Sequence, residues 1–219
     1  MFFLRGYSKY INSYYSIKKY SDDYYKLTFH KLFVKNSGFD ENNNLKNKRD
    51  KNDEKLYNNI VRAKNKVFEY ALCNEFDYFV TLTLDKNKYD RYDLDKFIKD
   101  LGQFIRDKRK KYNSNIQYIL IPEKHRDGAW HLHGLIKNIP EKYLILNENG
   151  YLDYPEYKNK FGYISMSRVK SQIAVSKYIT KYITKDIENN VTEKNKKLYY
   201  CSRGLKNSKK IVEGLLSPS

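Results

Sequence analysis

FDYFVTLTLD, residues 76–85, is the stretch on which the fold turns. Phe76, Tyr78, Val80, Leu82 and Leu84 fall on one side of it, and Thr81, Thr83 and Asp85 on the other. Alternation with a period of two marks a strand with one buried face. Upstream, Ile60, Ala63, Val67, Phe68, Ala71 and Leu72 recur at helical spacing and predict a helix ending near Asn74. Downstream, Asp93 is placed to cap a second helix. Its Leu94, Phe97, Ile98, Leu101, Phe104 and Ile105 share one face, to about Tyr112. IQYILI (116–121) and WHLHGLI (130–136) are β-rich runs. PEKHRDGA joins them, and its Asp127-Gly128 turn signal predicts a hairpin. Residues 138–160 read as a polar loop or a small extra hairpin. FGYISMS (161–167) reads as a strand, about 168–187 as a helix, and KLYYCSRG (197–204) as the last strand. This order predicts an α+β domain, a central antiparallel sheet of about five strands with helices packed on one face.

The rest of the chain divides by composition. Residues 1–55 are a basic, tyrosine-rich extension that includes one possible strand, KLTFHKLFV (26–34). It ends in ENNNLKNKRDKNDEK (41–55), a polar linker or, alternatively, a charged helix extension. Residues 56–206 are the main domain and 207–219 a basic tail. Over 219 residues, 43 Lys and Arg face 26 Asp and Glu, a net charge of +17. A field of that sign attracts polyanions, nucleic acid foremost. Some of the 23 tyrosines are available to stack on unpaired bases, though most must serve packing. Cys73 and Cys201 lack metal-finger spacing and are expected as free thiols in a reducing cytoplasm. MFFLRGYSKY is too short and interrupted for a signal peptide, and no long apolar run predicts a membrane span.

His131 and His133 stand two apart on a predicted strand, so both rings leave the same face, while Trp130, Leu132 and Gly134 leave the other. Such a pair can grip one divalent ion from a rigid element. Glu123, at the end of the partner strand, would complete a set of two imidazoles and one carboxylate, and His125 competes for that place. Mixed ligation with open positions suits Mg2+ or Mn2+ at a phosphate. The plainer alternative is two solvent-facing histidines.

AVSKYITKYITKD (174–186) places Tyr178 and Tyr182 about 40° apart and roughly 6 Å along one helix, with Lys181 and Lys185 beside them. Ile173, Ile179, Ile183 and Ile187 take another arc. A phenol held near lysine and a metal loses its proton more easily and can attack phosphorus. Lysines there would steady the phosphate. The plainer alternative is a packing pair with solvated lysines.

FVTLTLD, WHLHGLI and SKYITKYITKD, in that order, resemble the HUH endonuclease superfamily. The likeness is to the two-tyrosine rolling-circle replication initiators of small single-stranded DNA phages and related plasmids. It covers about residues 76–206, and SRGLK (202–206) is similar to the close of such domains. The resemblance implies a sheet of RNA-recognition or ferredoxin-like form, metal on His131, His133 and Glu123, and Tyr178 and Tyr182 as nucleophiles. One tyrosine would become 5′-phosphotyrosyl linked and free a 3′-OH primer. The DNA is expected to be a single-stranded or hairpin origin, contacted by Thr81, Thr83, Arg168, Arg203 and Lys206. No GxxxxGK[ST] motif occurs, so unwinding would fall to a host helicase and synthesis to a host polymerase. A relaxase or single-tyrosine transposase of the same superfamily, and a non-catalytic nucleic-acid-binding protein, are the competing expectations.

Overall fold

The computed structural model describes residues 13–31, 48–190 and 197–216. The chain forms two compact units, Met1–Leu56 with Asn207–Ser219, and Tyr57–Lys206.

In chain order the elements are β1 (Ser13–Ser21), β2 (Tyr24–Lys31), α1 (Lys48–Cys73), β3 (Tyr78–Leu84) and α2 (Leu94–Tyr112). The hairpin strands β4 (Gln117–Lys124) and β5 (Trp130–Lys137) follow, then a 3-10 turn at Glu141–Tyr143. β6 (Ile145–Leu146), β7 (Leu152–Asp153), α3 (Pro155–Lys160), β8 (Gly162–Arg168), α4 (Gln172–Asn190), β9 (Tyr200–Cys201) and β10 (Lys209–Leu216) complete the order.

In the larger unit seven strands form one antiparallel sheet in the order β6-β7-β8-β3-β5-β4-β9. The expected count of about five strands is exceeded by two-residue pieces. β6 and β7 are the small hairpin in the 138–160 segment, and β9 shortens the last expected strand to Tyr200–Cys201. β3 lies between β8 and β5, so its alternating pattern is read by neighbours on both sides. α2 starts where the Asp93 carboxylate accepts from the Lys96 backbone N–H at 2.9 Å, and ends at Asn113 in the left-handed region. At the β4–β5 turn, Gly128 supplies the positive φ of 86°. Gly134 permits a close strand approach, because a Cβ there would lie 2.3 Å from the Ile119 carbonyl oxygen.

One face of this sheet carries the apolar residues of β3. Tyr78, Val80, Leu82, Leu120, Leu132 and Ile136 pack with Phe97, Leu101 and Phe104 of α2 and with Phe161 in a single core. The opposite face is also covered: α4 packs against β4 and β5, with Ile179 and Ile183 buried. The helices therefore lie on both faces, not on one as expected. The reason is that β4 and β5 are apolar on both sides. Ile119, Ile121 and Leu135 project opposite to Leu120 and Leu132 and are also buried, so a second cover is required.

Two further expectations change. Residues 41–47 lie outside the described residues, but 48–55, expected within a linker, belong to α1. The stretch expected as a basic tail supplies β10, which pairs with β1 in a separate three-stranded sheet, β10-β1-β2. The possible strand at 26–34 forms as β2, shifted to Tyr24–Lys31.

Candidate active site

The site grows from strand register. Thr83, His131 and Glu123 are successive cross-strand partners on β3, β5 and β4, and Thr81, His133 and Ile121 form the next row. Partners across a sheet share a face, so both histidines, both threonines and Glu123 stand together, opposite the α2 core. Each imidazole is held from behind. Thr81 Oγ1 meets His133 Nδ1 at 3.1 Å, and Thr83 Oγ1 meets His131 Nδ1 at 3.0 Å. The Nε2 atoms are thereby turned outward. Bonding one ring nitrogen orients the other.

Glu123 is buried, and its Oε2 accepts from His133 Nε2 at 2.5 Å. His125, the competing third ligand, instead stacks on His131 with ring centroids 3.7 Å apart. His131 is held down at about 4, first by burial and then by the neighbouring His125 and His133, so its ring is neutral at physiological pH. Among the described residues, no three His, Cys, Asp or Glu side chains are already grouped as a metal cluster. The donor chemistry still fits a divalent ion: two Nε2 atoms oriented by threonines, with a buried carboxylate alongside.

α4 brings the tyrosines to this same face. The Tyr182 ring stacks on His133 at 4.0 Å, and its hydroxyl shares a 2.9 Å hydrogen bond with that of Tyr178. Phe79, one step along β3 from Val80, sits under both phenols, 5.4 Å from Tyr178 and 6.2 Å from Tyr182 between centroids. Tyr182 is half-buried, and burial first, then the bond to Tyr178, raises its pKa well above the ordinary tyrosine value. Tyr178 is 45% exposed and so is the phenol open to a substrate. Lys181 Nζ lies 5.6 Å from the Tyr178 ring centroid. The side chain of Lys185 lies outside the described residues.

The remaining expected nucleic-acid contacts are dispersed. Thr81 and Thr83 reach the site, but as supports of the histidines. Arg168 pairs across the sheet with Tyr78, on the opposite face from Tyr178, and its guanidinium binds Glu141 at 2.7 Å. Arg203 and Lys206 are exposed, and the Lys206 backbone N–H is tied to Asn74 Oδ1 at 2.8 Å. Two participants escaped the sequence analysis. Phe79 was hidden as one more aromatic, and the stacking role of His125 was hidden in a loop. The parity of Phe79 with Thr81 and Thr83 was the signal available for the first.

The arrangement defines a class, an α+β sheet domain that carries a threonine-oriented histidine pair facing a helix-borne tyrosine pair. The family model for replication-associated proteins of the ORF2 type matches residues 77–187, which span β3 to α4, and the chain belongs to that family. Membership supports a role in DNA replication in a phage or plasmid setting and implies interaction with DNA. Comparison with curated proteins and with solved structures returns no match. Among the described residues no helix is long and apolar enough to cross a membrane.

Proposed function

We propose that the chain is a rolling-circle replication initiator of the two-tyrosine HUH type, which nicks and rejoins single-stranded origin DNA. The observation that carries this reading is the convergence of two elements far apart in sequence. The phenols of α4 and the imidazoles of β5 lie on one sheet face, with the Tyr182 and His133 rings 4.0 Å apart.

Tyr178, the exposed phenol, makes the first attack. Its oxygen bonds to the scissile phosphorus as the bond to the 3′ oxygen breaks. The phenolic proton is lost to solvent, and the departing 3′ oxygen takes up one to become a 3′-OH. The 5′-phosphate stays on tyrosine, so the phosphodiester energy is conserved and rejoining needs no nucleotide cofactor. Tyr182, bonded to Tyr178 and packed on His133, orients the first phenol and serves as the second nucleophile. Lys181 steadies the phosphate charge. His131, His133 and Glu123 would hold a divalent ion, Mg2+ or Mn2+, which supplies polarisation of the phosphate when bound. Thr81 and Thr83 keep the imidazoles aimed. A flanking single strand or extruded hairpin is the favoured substrate, since a paired phosphate could not enter between α4 and the sheet unstacked. Unwinding and synthesis would fall to a host helicase and polymerase, in the cytoplasm.

The test is covalent capture. The protein is mixed with Mn2+ and labelled single-stranded oligonucleotides tiling its own replicon, then run under denaturing conditions. A shifted band that needs metal, persists in Tyr182→Phe and vanishes in Tyr178→Phe is the expected result. An adduct retained when both tyrosines are phenylalanine would remove the mechanism. DNA binding without any adduct across the full tiling would assign the chain to the non-catalytic binders.

A further inference from the structure

The smaller sheet, β10-β1-β2, takes no part in the tyrosine and histidine chemistry, yet its residues are arranged for a polyanion. Register places Lys26, Lys18 and Lys210 in one row, one from each strand, and Lys19 and Lys209 in the row beside it. Like charges directly opposite one another destabilise a sheet. Glu213 pairs with Lys210 and Asp22 with Lys19. Lys18, Lys26 and Lys209 have no carboxylate partner among the described residues. Lysines in register across three strands are thus a cost that an anionic ligand would offset.

One face of the same sheet is aromatic and open. Tyr25, Leu27 and Phe29 alternate along the edge strand β2 and are 52%, 51% and 64% exposed. Their partners on β1 are Lys19, Ile17 and Tyr15. Beyond Tyr15 comes Gly214 of β10, where a Cβ would lie 2.8 Å from the Tyr15 ring. Gly214 leaves that ring room to lie across β10. Tyr25 and Phe29 offer two flat, exposed rings along one strand. Lys19 and Lys209 end the same face, while the row of Lys26, Lys18 and Lys210 points from the reverse face and adds to the positive field around the edge strand. Aromatic rings on a strand with lysines at one end form a platform for single strands, bases on the rings and phosphates on the ammonium groups. A second copy of the chain would also cover an apolar face, but it would bring a second set of lysines and leave the repulsion unrelieved.

We propose that the β10-β1-β2 sheet is a second binding site, for single-stranded DNA, with Tyr25 and Phe29 as stacking residues and Lys19 and Lys209 as the phosphate contacts. The site is independent of the tyrosine chemistry and would anchor the strand while the other unit acts on it.

The experiment uses the full chain carrying Tyr178→Phe and Tyr182→Phe, which prevents covalent trapping, and fluorescently labelled oligo(dT). Tyr25→Leu with Phe29→Leu keeps apolar bulk but removes both rings. Affinity by anisotropy is expected to fall by about tenfold or more. Tyr25→Trp with Phe29→Trp is expected to retain it. Lys19→Gln with Lys209→Gln should lower the salt dependence of binding by about two phosphate contacts. Unchanged affinity in the leucine variant overturns the proposal. So does equal loss in the tryptophan variant, which would report misfolding or a packing role. A dimer that becomes a monomer in the leucine variant with unchanged DNA affinity would instead assign the face to self-association. In the chain with native Tyr178 and Tyr182, the leucine variant should still form the adduct with a short origin oligonucleotide, so this proposal and the nicking mechanism fail separately.

Discussion

The two faces of the seven-stranded sheet are built from the same strands taken at alternate residues, yet they have opposite tasks. On the α2 face, Tyr78, Val80 and Leu82 of β3 meet Leu132 and Ile136 of β5 and the aromatic side of α2, with Phe97 fully buried. On the α4 face, the intervening residues are Phe79, Thr81, Thr83, His131 and His133, and the helix above them presents phenols. The first face repels water and gains stability in proportion to buried area. The second holds polar groups that must be satisfied where they stand, and it does so by pairing them: threonine to imidazole, imidazole to carboxylate, phenol to phenol. A strand one residue out of register would exchange the two faces and lose both core and site. The lesson is that the site is stabilised by its neighbour face and contributes little stability itself.

That division can be broken most strongly from the core side. Phe97→Ala should cost about 3–5 kcal/mol of stability, measured by urea denaturation, because a fully buried ring leaves a cavity. Adduct formed per folded molecule should not change. A loss under about 1 kcal/mol would mean that the α2 face is not the principal core.

From the site side the pattern should reverse. Thr83→Val removes the hydroxyl that holds His131 Nδ1, and should lower Mn2+ affinity and adduct yield by about 10–100-fold. Its stability change should stay within about 1.5 kcal/mol. Calorimetric titration with Mn2+ beside a denaturation curve separates the two. If Thr83→Val instead unfolds the protein without touching metal affinity in the folded fraction, the division between faces is wrong.

The smallest expected effect lies at the margin of the core face, at Glu156. Burial pushes its carboxyl up, but hydrogen bonds from Lys108, Lys111 and Tyr112 outweigh that and hold it down at about 2. A carboxylate whose pKa is depressed on folding adds stability that is complete above the ordinary glutamate value of about 4.3 and is lost as pH falls toward the folded value. Melting temperature should therefore decline between about pH 5 and pH 2, and Glu156→Gln should flatten part of that decline. Parallel acid profiles for the two proteins would show that the ion cluster contributes nothing.

Much of the fold was legible because period is a local property. The strand at Tyr78–Leu84, the α2 stripe, the β4–β5 hairpin and the tyrosine helix each announce themselves within about ten residues. Parity alone also places His131 and His133 on one face. The two-sided cover was not legible, since Ile119, Ile121 and Leu135 look like any apolar strand residues until a second helix is seen to bury them. Nor was the pairing of β10 with β1, which joins opposite ends of the chain and has no local signature. Arg168 illustrates the opposite error: a basic residue near the motif in sequence, carried by strand parity to the wrong face.

What the sequence determined by itself is therefore the inventory of elements and the face each side chain takes within its own element. Spacing sets both through backbone geometry. Only the tertiary structure decided which faces meet. It set the Tyr182 ring against His133, turned Glu123 to His133 and His125 onto His131, and drew the two chain ends into one lysine-rich sheet. These are choices among distant surfaces, made by the burial and hydrogen bonding of the whole chain at once, and no window of sequence contains them.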